Sequence, residues 1–341
     1  MRIVVTGGAG YVGSHTAVEL LRRGHHVTII DNFSNSSQAS PGRIAMIAGQ
    51  SAACENLDVR DCSAVTELLR DNRIDAVIHL AGLKAVGESC ANPLDYFDNN
   101  IGGTISLLRA MRAADVRQLV FSSSATVYGQ PENNPISEDA PRHALNPYAR
   151  TKIVSEDLIG DLCNSQIEFR AAILRYFNPV GAHPSGLIGE DPNGMPDNLM
   201  PYICQVAVGR RAELLVFGGD YPTRDGTGLR DYLHVVDLAR AHVDALDYLV
   251  REDANLTVNL GSGNGFTVLE MIQAFERTNR IQIPYRVMPR RAGDVAEVFA
   301  DASLARRLMG WRAEQTLERM CEDAWRWQSM NPDGFGVEIP A

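Results

Sequence analysis

Seven residues near the N-terminus, Gly7-Gly8-Ala9-Gly10-Tyr11-Val12-Gly13, constrain this chain more than any other feature. They follow an apolar stretch at 2–6 that reads as a buried strand, and they precede helical apolar spacing at 15–23 that stops at Gly24. A Cβ in such a turn blocks both the close approach of a pyrophosphate and tight packing of helix on strand, so the turn needs Gly7, Gly10 and Gly13. The helix N-terminus then offers unpaired amides and a positive dipole to an anion. A second strand at 27–31 ends on Asp31, 31 − 13 = 18 residues beyond Gly13. That is close to the roughly 20 residues expected for a carboxylate on the adenine ribose. A carboxylate there repels a 2′-phosphate, so the pattern calls for NAD rather than NADP.

The rest of the first half repeats the alternation. Helical spacing at 64–72, 101–114 and 148–163 separates apolar strands at 76–80, 118–122 and 171–177. Continuous apolar strands between helices indicate an α/β chain, with a Rossmann-type doubly wound parallel sheet covered on both faces. Past Phe177 the pattern changes. Residues 178–197 and 220–228 read as irregular, glycine-rich loops, and helical spacing recurs at 199–208, 233–249, 269–278, 303–309 and 316–327. A strand at 258–260 would rejoin the first sheet. A length of 341 residues suits about two domains. The expected division is an NAD-binding domain over 1–177 and a smaller mixed α/β C-terminal substrate lobe over 178–341, sharing one cleft.

Charge and composition exclude other classes. Acidic residues outnumber basic ones by 42 to 32, a net −10, which repels nucleic acid and anionic membranes. The chain enters its first strand at once, without the basic and apolar regions of a signal peptide. No apolar run approaches the roughly 18 residues of a membrane span. The six cysteines (54, 62, 90, 163, 204 and 321) show no C-x-x-C spacing, so reduced thiols and a cytoplasmic location are expected. No metal is expected. His25-His26 cannot aim two rings at one ion, Pro222 and Arg224 spoil a calcium loop at 220–231, and His79 between Ile78 and Leu80 reads as a core histidine.

Tyr148 and Lys152 stand four residues apart in a helical segment and so share a face. A free tyrosine titrates near pH 10 and is a poor base. A neighbouring ammonium and a cationic nicotinamide would favour the phenolate. Ser122, Ser123 and Ser124 close a strand at its C-terminal end, where ligands bind in open α/β sheets. Ser124 is the hydroxyl expected to meet the substrate oxygen beside Tyr148, although capping of the next turn is the plainer use of such serines.

With the glycine turn, these serines before Ala125-Thr126-Val127-Tyr128-Gly129 and the Tyr148-x-x-x-Lys152 pair, the chain resembles the extended short-chain dehydrogenase/reductase superfamily. Residues 81–89, 174–186, 198–202 and 225–232 narrow the resemblance to its UDP-glucose 4-epimerase family, over 1 to about 328. The resemblance implies reversible C4 epimerisation of UDP-glucose and UDP-galactose through a 4-keto sugar, with NAD tightly bound and regenerated each cycle. Tyr148 would exchange the proton, Lys152 would hold the cofactor ribose and Ser124 would assist. Tyr11, Val12, Asp31, Asn32, Asp58, Val59, Leu80, Ala81, Gly82, Lys84, Asn99, Ser122 and Phe177 would line the NAD site. Lys84, Ser124, Tyr148, Asn178, Asn198, Leu199, Phe217, Arg230, Arg291, Asp294 and Val298 would hold the UDP-sugar, the arginines clamping its phosphates. The implied assembly is a homodimer packed through 101–114 and 153–163.

Plainer uses remain open for several of these. Arg291 fits a solvated turn, Arg230 an ion cluster with Asp231 or Asp225, and Phe177 and Phe217 the core. A related 4,6-dehydratase would need an acid and a base where this chain has Ala125-Thr126. A non-catalytic dinucleotide sensor would not need Tyr148, Lys152 and the serines. Val298 stands where the family often has tyrosine, which would leave room beside the sugar C2 and admit UDP-GlcNAc and UDP-GalNAc. An alignment shifted by one would put Phe299 there instead.

Overall fold

Ile3-Val4-Val5 and Ala76-Val77-Ile78 are fully buried, and such runs form the middle of a seven-stranded parallel sheet. The structure, a computed structural model, describes residues 1–192, 196–291 and 293–336. Residues 193–195 of the expected loop, Ala292 in the arginine motif and 337–341 of the expected C-terminal lobe lie outside the described residues. In chain order the strands are β1 (Arg2–Thr6), β2 (His26–Asp31), β3 (Ala53–Asn56), β4 (Ala76–His79), β5 (Gln118–Ser122), β6 (Arg170–Tyr176), β7 (Asn178–Val180) and β8 (Leu214–Phe217), then β9 (Leu229–His234), β10 (Leu256–Leu260), β11 (Gly265–Thr267), β12 (Tyr285–Met288) and β13 (Glu297–Val298). The large sheet runs β10-β6-β5-β4-β1-β2-β3. Its order reverses at β1, beside β4, which is where open α/β sheets leave a crevice for ligands.

The two sheet faces fill from alternate residues of each strand, as a period of two requires. Ile3, Val5, Ile29 and Ile78 pack with Val18 and Leu21 of α1 (Tyr11–Arg22), Ile44 of α2 (Ser40–Ala48) and Leu238 of a later helix. Val4, Ile30, Val77 and Phe121 pack on the other face with Leu69 of α3 (Cys62–Asp71) and Met111 and Ile159 further along. Two short helices, α4 (Val86–Ala91) and α5 (Pro93–Tyr96), lead through a π-turn at Phe97–Gly102 into α6 (Gly103–Ala113). Then α7 (Pro147–Ser165) opens on Pro147 with Asn146 as its cap, Asn146 Oδ1 accepting from Ala149 N at 2.8 Å.

The remaining helices are α8 (Leu199–Ala207), α9 (Val235–Glu252), α10 (Val268–Asn279), α11 (Ser303–Met309) and α12 (Leu317–Met330). A separate apolar cluster joins α8, α10 and α12 through Met200, Ile203, Phe275 and Met320. Sequence spacing started a helix at 233, but Leu233 and His234 finish β9, and His234 Nδ1 accepts from Val236 N at 3.1 Å to begin α9. Likewise 101–102 belong to the π-turn. The strand expected at 258–260 is β10, two residues longer, in parallel register with β6. Among the described residues no helix is long and apolar enough to cross a membrane.

Candidate active site

The glycine turn is as tight as its sequence requires. Gly7 has φ +67°, and a Cβ there would stand 2.7 Å from Ala81 N; one at Gly13 would stand 2.1 Å from Gly7 O. Gly10 caps α1 and brings no side-chain acceptor to its first amides, which leaves them for an anion. The cradle therefore fits a dinucleotide pyrophosphate. Asp31 ends β2 almost wholly buried and shapes this cradle itself. Its Oδ2 accepts from Ala9 N at 3.0 Å, while Oδ1 accepts from Phe33 N at 2.9 Å and Ser36 Oγ at 2.8 Å.

Asn32 and Asp58 stand together beyond it, Asn32 Nδ2 donating to Asp58 Oδ2 at 2.9 Å. Hydrogen bonds from Arg60 hold the Asp58 carboxyl well below the usual range. Val59 is buried against Gly103. Leu80, Ala81 and Gly82 leave β4 over the turn, with Leu80 N donating to Thr6 O at 3.1 Å. Asn99 lies in the π-turn, a feature that recurs at functional sites. Its amide donates to Asn100 Oδ1 at 2.9 Å. Buried Asn100 in turn binds Leu83 N and O and Thr151 Oγ1, tying the turn to α7. Tyr11 donates to Gly181 O at 2.7 Å, so it reaches the start of the long loop, and Val12 packs partly buried against the core.

Ser122, Ser124, Tyr148 and Lys152 converge at the C-terminal end of β5. Lys152 Nζ donates to Ser122 O at 2.8 Å and lies 5.9 Å from the Tyr148 ring centre. Burial pushes its pKa down to about 8, against the field of Glu156. Burial also raises Tyr148 well above its ordinary value, Tyr176 adds to the rise, and a hydrogen bond with Ser124 opposes it. An ammonium near the ring favours the phenolate, but burial in this dry pocket is the larger influence on Tyr148 in the protein alone. Ser124 also caps the following turn, accepting from Thr126 N at 3.3 Å and Thr126 Oγ1 at 3.0 Å.

On the other wall, Asn178 pairs in register with Tyr232 of β9, and Asn198 caps α8 just before Leu199. Arg230 is the second residue of β9, opposite Val298 of β13 and Phe266 of β11. Neither suggested partner takes it. Asp231 is fully buried and accepts from Ser262, Gly263 and Ala300, and Asp225 binds Thr227 and Thr267. Among the described residues Arg230 Nη1 meets only backbone, Leu229 O at 2.8 Å and Ala296 O at 3.5 Å. Arg291 covers the Phe217 ring at 4.7 Å and pairs with Asp294 at 3.2 Å, although its side chain is 56% exposed. Phe177 is a core aromatic, packed with Val127, Tyr128 and Ile136, and Val298 lies against that cluster. Register puts Val298 on the sheet face of Arg230 and turns Phe299 to the other.

Three residues near these were not singled out from sequence. Tyr176, read as part of an apolar strand, accepts from Ser122 Oγ at 2.9 Å. Glu156, one turn past Lys152, is buried in a pair with Arg175 at 2.7 Å; the i+4 repeat from Tyr148 was its available signal. Glu190 lies in the irregular loop, where no periodicity marks it. His79 is satisfied, within 2.7 Å of Thr6 Oγ1 and 3.2 Å of Thr104 Oγ1. No group of side chains suited to a metal occurs among the described residues.

Known proteins carry the same framework. The profile of the NAD dependent epimerase/dehydratase family matches residues 3–261. A UDP-glucose 4-epimerase of Bacillus subtilis is 54% identical, over 98% of this chain and 99% of that protein. The human UDP-glucose 4-epimerase is 51% identical over 99% of each chain. A solved UDP-glucose 4-epimerase of Stenotrophomonas maltophila, with bound NAD and formylated UDP-arabinopyranose, superposes with a TM-score of 0.96 at 53% identity, covering 97% of this chain and 99% of that one. One from Bifidobacterium longum, in complex with NAD+ and UDP, gives 0.94 at 47% identity, covering 98% and 100%.

Proposed function

This chain belongs to the NAD dependent epimerase/dehydratase family, and we propose that it interconverts UDP-glucose and UDP-galactose by inverting C4 of the sugar. The observation that carries this reading is the convergence of Tyr148, Lys152 and Ser124 beside a glycine cradle. The dehydratase alternative lacks its carboxyls, since Ala125 and Thr126 fill that turn.

Bound NAD supplies a hydride acceptor for C4 that gives the hydride back, so turnover leaves no net redox change. Tyr148 takes the proton of the sugar 4-hydroxyl and later returns it. Burial raises its pKa in the protein alone; the Lys152 ammonium, 5.9 Å from its ring centre, and the cationic nicotinamide of bound NAD would favour the phenolate. Lys152 holds the cofactor ribose, and Ser124 shares a hydrogen bond with the reacting oxygen. Gly7, Gly10 and Gly13 clear the pyrophosphate, while Asp31 keeps the cradle in shape. Arg230 and Arg291 hold the substrate diphosphate while the 4-keto sugar turns its other face. Val298 forms a small wall on the Arg230 face, a reading supported by its register, and it leaves room for UDP-GlcNAc and UDP-GalNAc.

We further assign residues 1–177 with β10 to the cofactor lobe and the rest of 178–341 to the substrate lobe. The enzyme works in the cytoplasm in galactose metabolism, as a homodimer packed through α6 and α7, with no membrane or nucleic-acid partner. Incubating the purified protein with UDP-galactose, and separately with UDP-GalNAc, without added NAD tests the reading. Both C4 epimers should form. No turnover of UDP-galactose would overturn the function, and no turnover of UDP-GalNAc alone would overturn the wider range. A solution mass near 37.3 kDa rather than twice that would overturn the dimer.

A further inference from the structure

Glu190 joins two walls of the cleft. Its Oε1 accepts from Lys84 Nζ at 2.5 Å and from Asn198 Nδ2 at 2.9 Å. Lys84 follows β4 on the cofactor side, and Asn198 caps α8 on the substrate side. The Glu190 side chain is 9% exposed and that of Lys84 49%. A carboxylate this enclosed is costly unless paired, and in a cleft meant for a diphosphate it repels the ligand unless neutralised. Burial works against the Lys84 charge, yet Glu190 outweighs it and keeps the ammonium protonated above its ordinary range.

The backbone at Glu190 is gripped from outside the cleft. Trp327 Nε1 of α12 donates to Glu190 O at 3.2 Å. A Cβ on Gly189 would stand 2.4 Å from the Trp327 ring, so glycine is what lets the loop lie flat on it. Asp191 accepts from Phe335 N at 2.8 Å. Arg43 of α2 lies 5.6 Å from the Trp327 ring centre and 4.8 Å from that of Phe335, which locks this C-terminal segment to the first half of the chain.

We propose that Glu190 is a positioning residue of the cleft, its carboxylate fixing Lys84 and Asn198 relative to each other and Trp327 fixing Glu190. The proposal rests on the epimerase reading above. With Lys84 matched by Glu190 and Arg291 by Asp294, Arg230 and Lys152 are the cleft cations that donate to backbone carbonyls rather than to a carboxylate among the described residues.

Wild-type turnover of UDP-galactose is measured first, and its absence refutes the epimerase reading rather than the role of Glu190. E190Q holoenzyme should then lose about tenfold in kcat while its KM for UDP-galactose falls, because Lys84 becomes an unmatched cation beside the diphosphate. NAD content and Tm should stay at wild-type values. In a K84M background, E190Q should change kcat less than about twofold, since coupled residues are not additive. Wild-type kcat and KM in E190Q, a kcat loss that multiplies in full across the two substitutions, or losses that track falling NAD content and Tm would each overturn it. Should E190Q not fold, W327F carries the test, as it keeps the aromatic wall and removes the donor to Glu190 O. A lower kcat at full NAD content supports the proposal, and an unchanged kcat overturns it.

Discussion

Single residues here do work that their spacing announces and work that it hides. Tyr148 and Lys152 are legible because a helix repeats every 3.6 residues, so an i, i+4 pair must share a face. Their electrostatics are not legible, because desolvation depends on what the rest of the fold packs around them. In the folded chain burial raises the phenol and lowers the ammonium, the reverse of what a simple ion pair gives. Tyr148→Phe should therefore lose turnover by about the 100- to 10,000-fold that a positioned proton-transfer group supplies, with NAD still bound. Comparable turnover in that variant would remove Tyr148 from the reaction.

At the scale of elements, the sequence reveals what is long and periodic. The central strands, α1, α7 and α12 are visible as apolar runs or helical stripes, and the glycine turn is visible because few sequences need three glycines there. The strands of the smaller sheet are not. β7, β11 and β13 have three, three and two residues, too few to show a period of two, and they exist because β9 offers them an edge. Arg230 could be named from sequence, but its lack of a carboxylate partner follows only from where β9 puts Asp231. The turn also makes a prediction that belongs to the element. Gly13→Ala would place a Cβ 2.1 Å from Gly7 O, which is backbone and cannot step aside. Helix α1 must then lift off the turn, and the amides aimed at the pyrophosphate move with it. The variant should purify with under about a tenth of the wild-type NAD, a loss of roughly 1.4 kcal/mol or more in cofactor binding. Full NAD occupancy, read from absorbance after denaturation, would show that the turn has more slack than its contacts suggest.

Across the whole molecule, the interior holds histidines as neutral groups, and this links its stability to pH. His15, His79, His183 and His242 lie on α1, β4, the loop after β7 and α9, each less than a tenth exposed. Burial lowers the pKa of His15 and His79 to about 3 and of His183 and His242 to about 4. In the unfolded chain each titrates near its ordinary 6.5. Between those values only the unfolded state takes up the proton, so stability is fully present above pH 6.5 and drains away as the pH falls toward 4. Each histidine contributes a slope of at most about 1.4 kcal/mol per pH unit. The carboxylates of Glu138, Asp191, Asp231 and Asp244 are raised by burial and push the other way, a contribution complete only below their unfolded values of roughly 4. From pH 6.5 to about 5 the histidines should dominate, with close to four protons taken up on unfolding at the acid end. The urea midpoint of the holoenzyme should therefore fall steadily over that interval, and less steeply in His242→Asn. A midpoint that is flat from pH 7 to 5 would mean that these histidines already carry charge inside the fold.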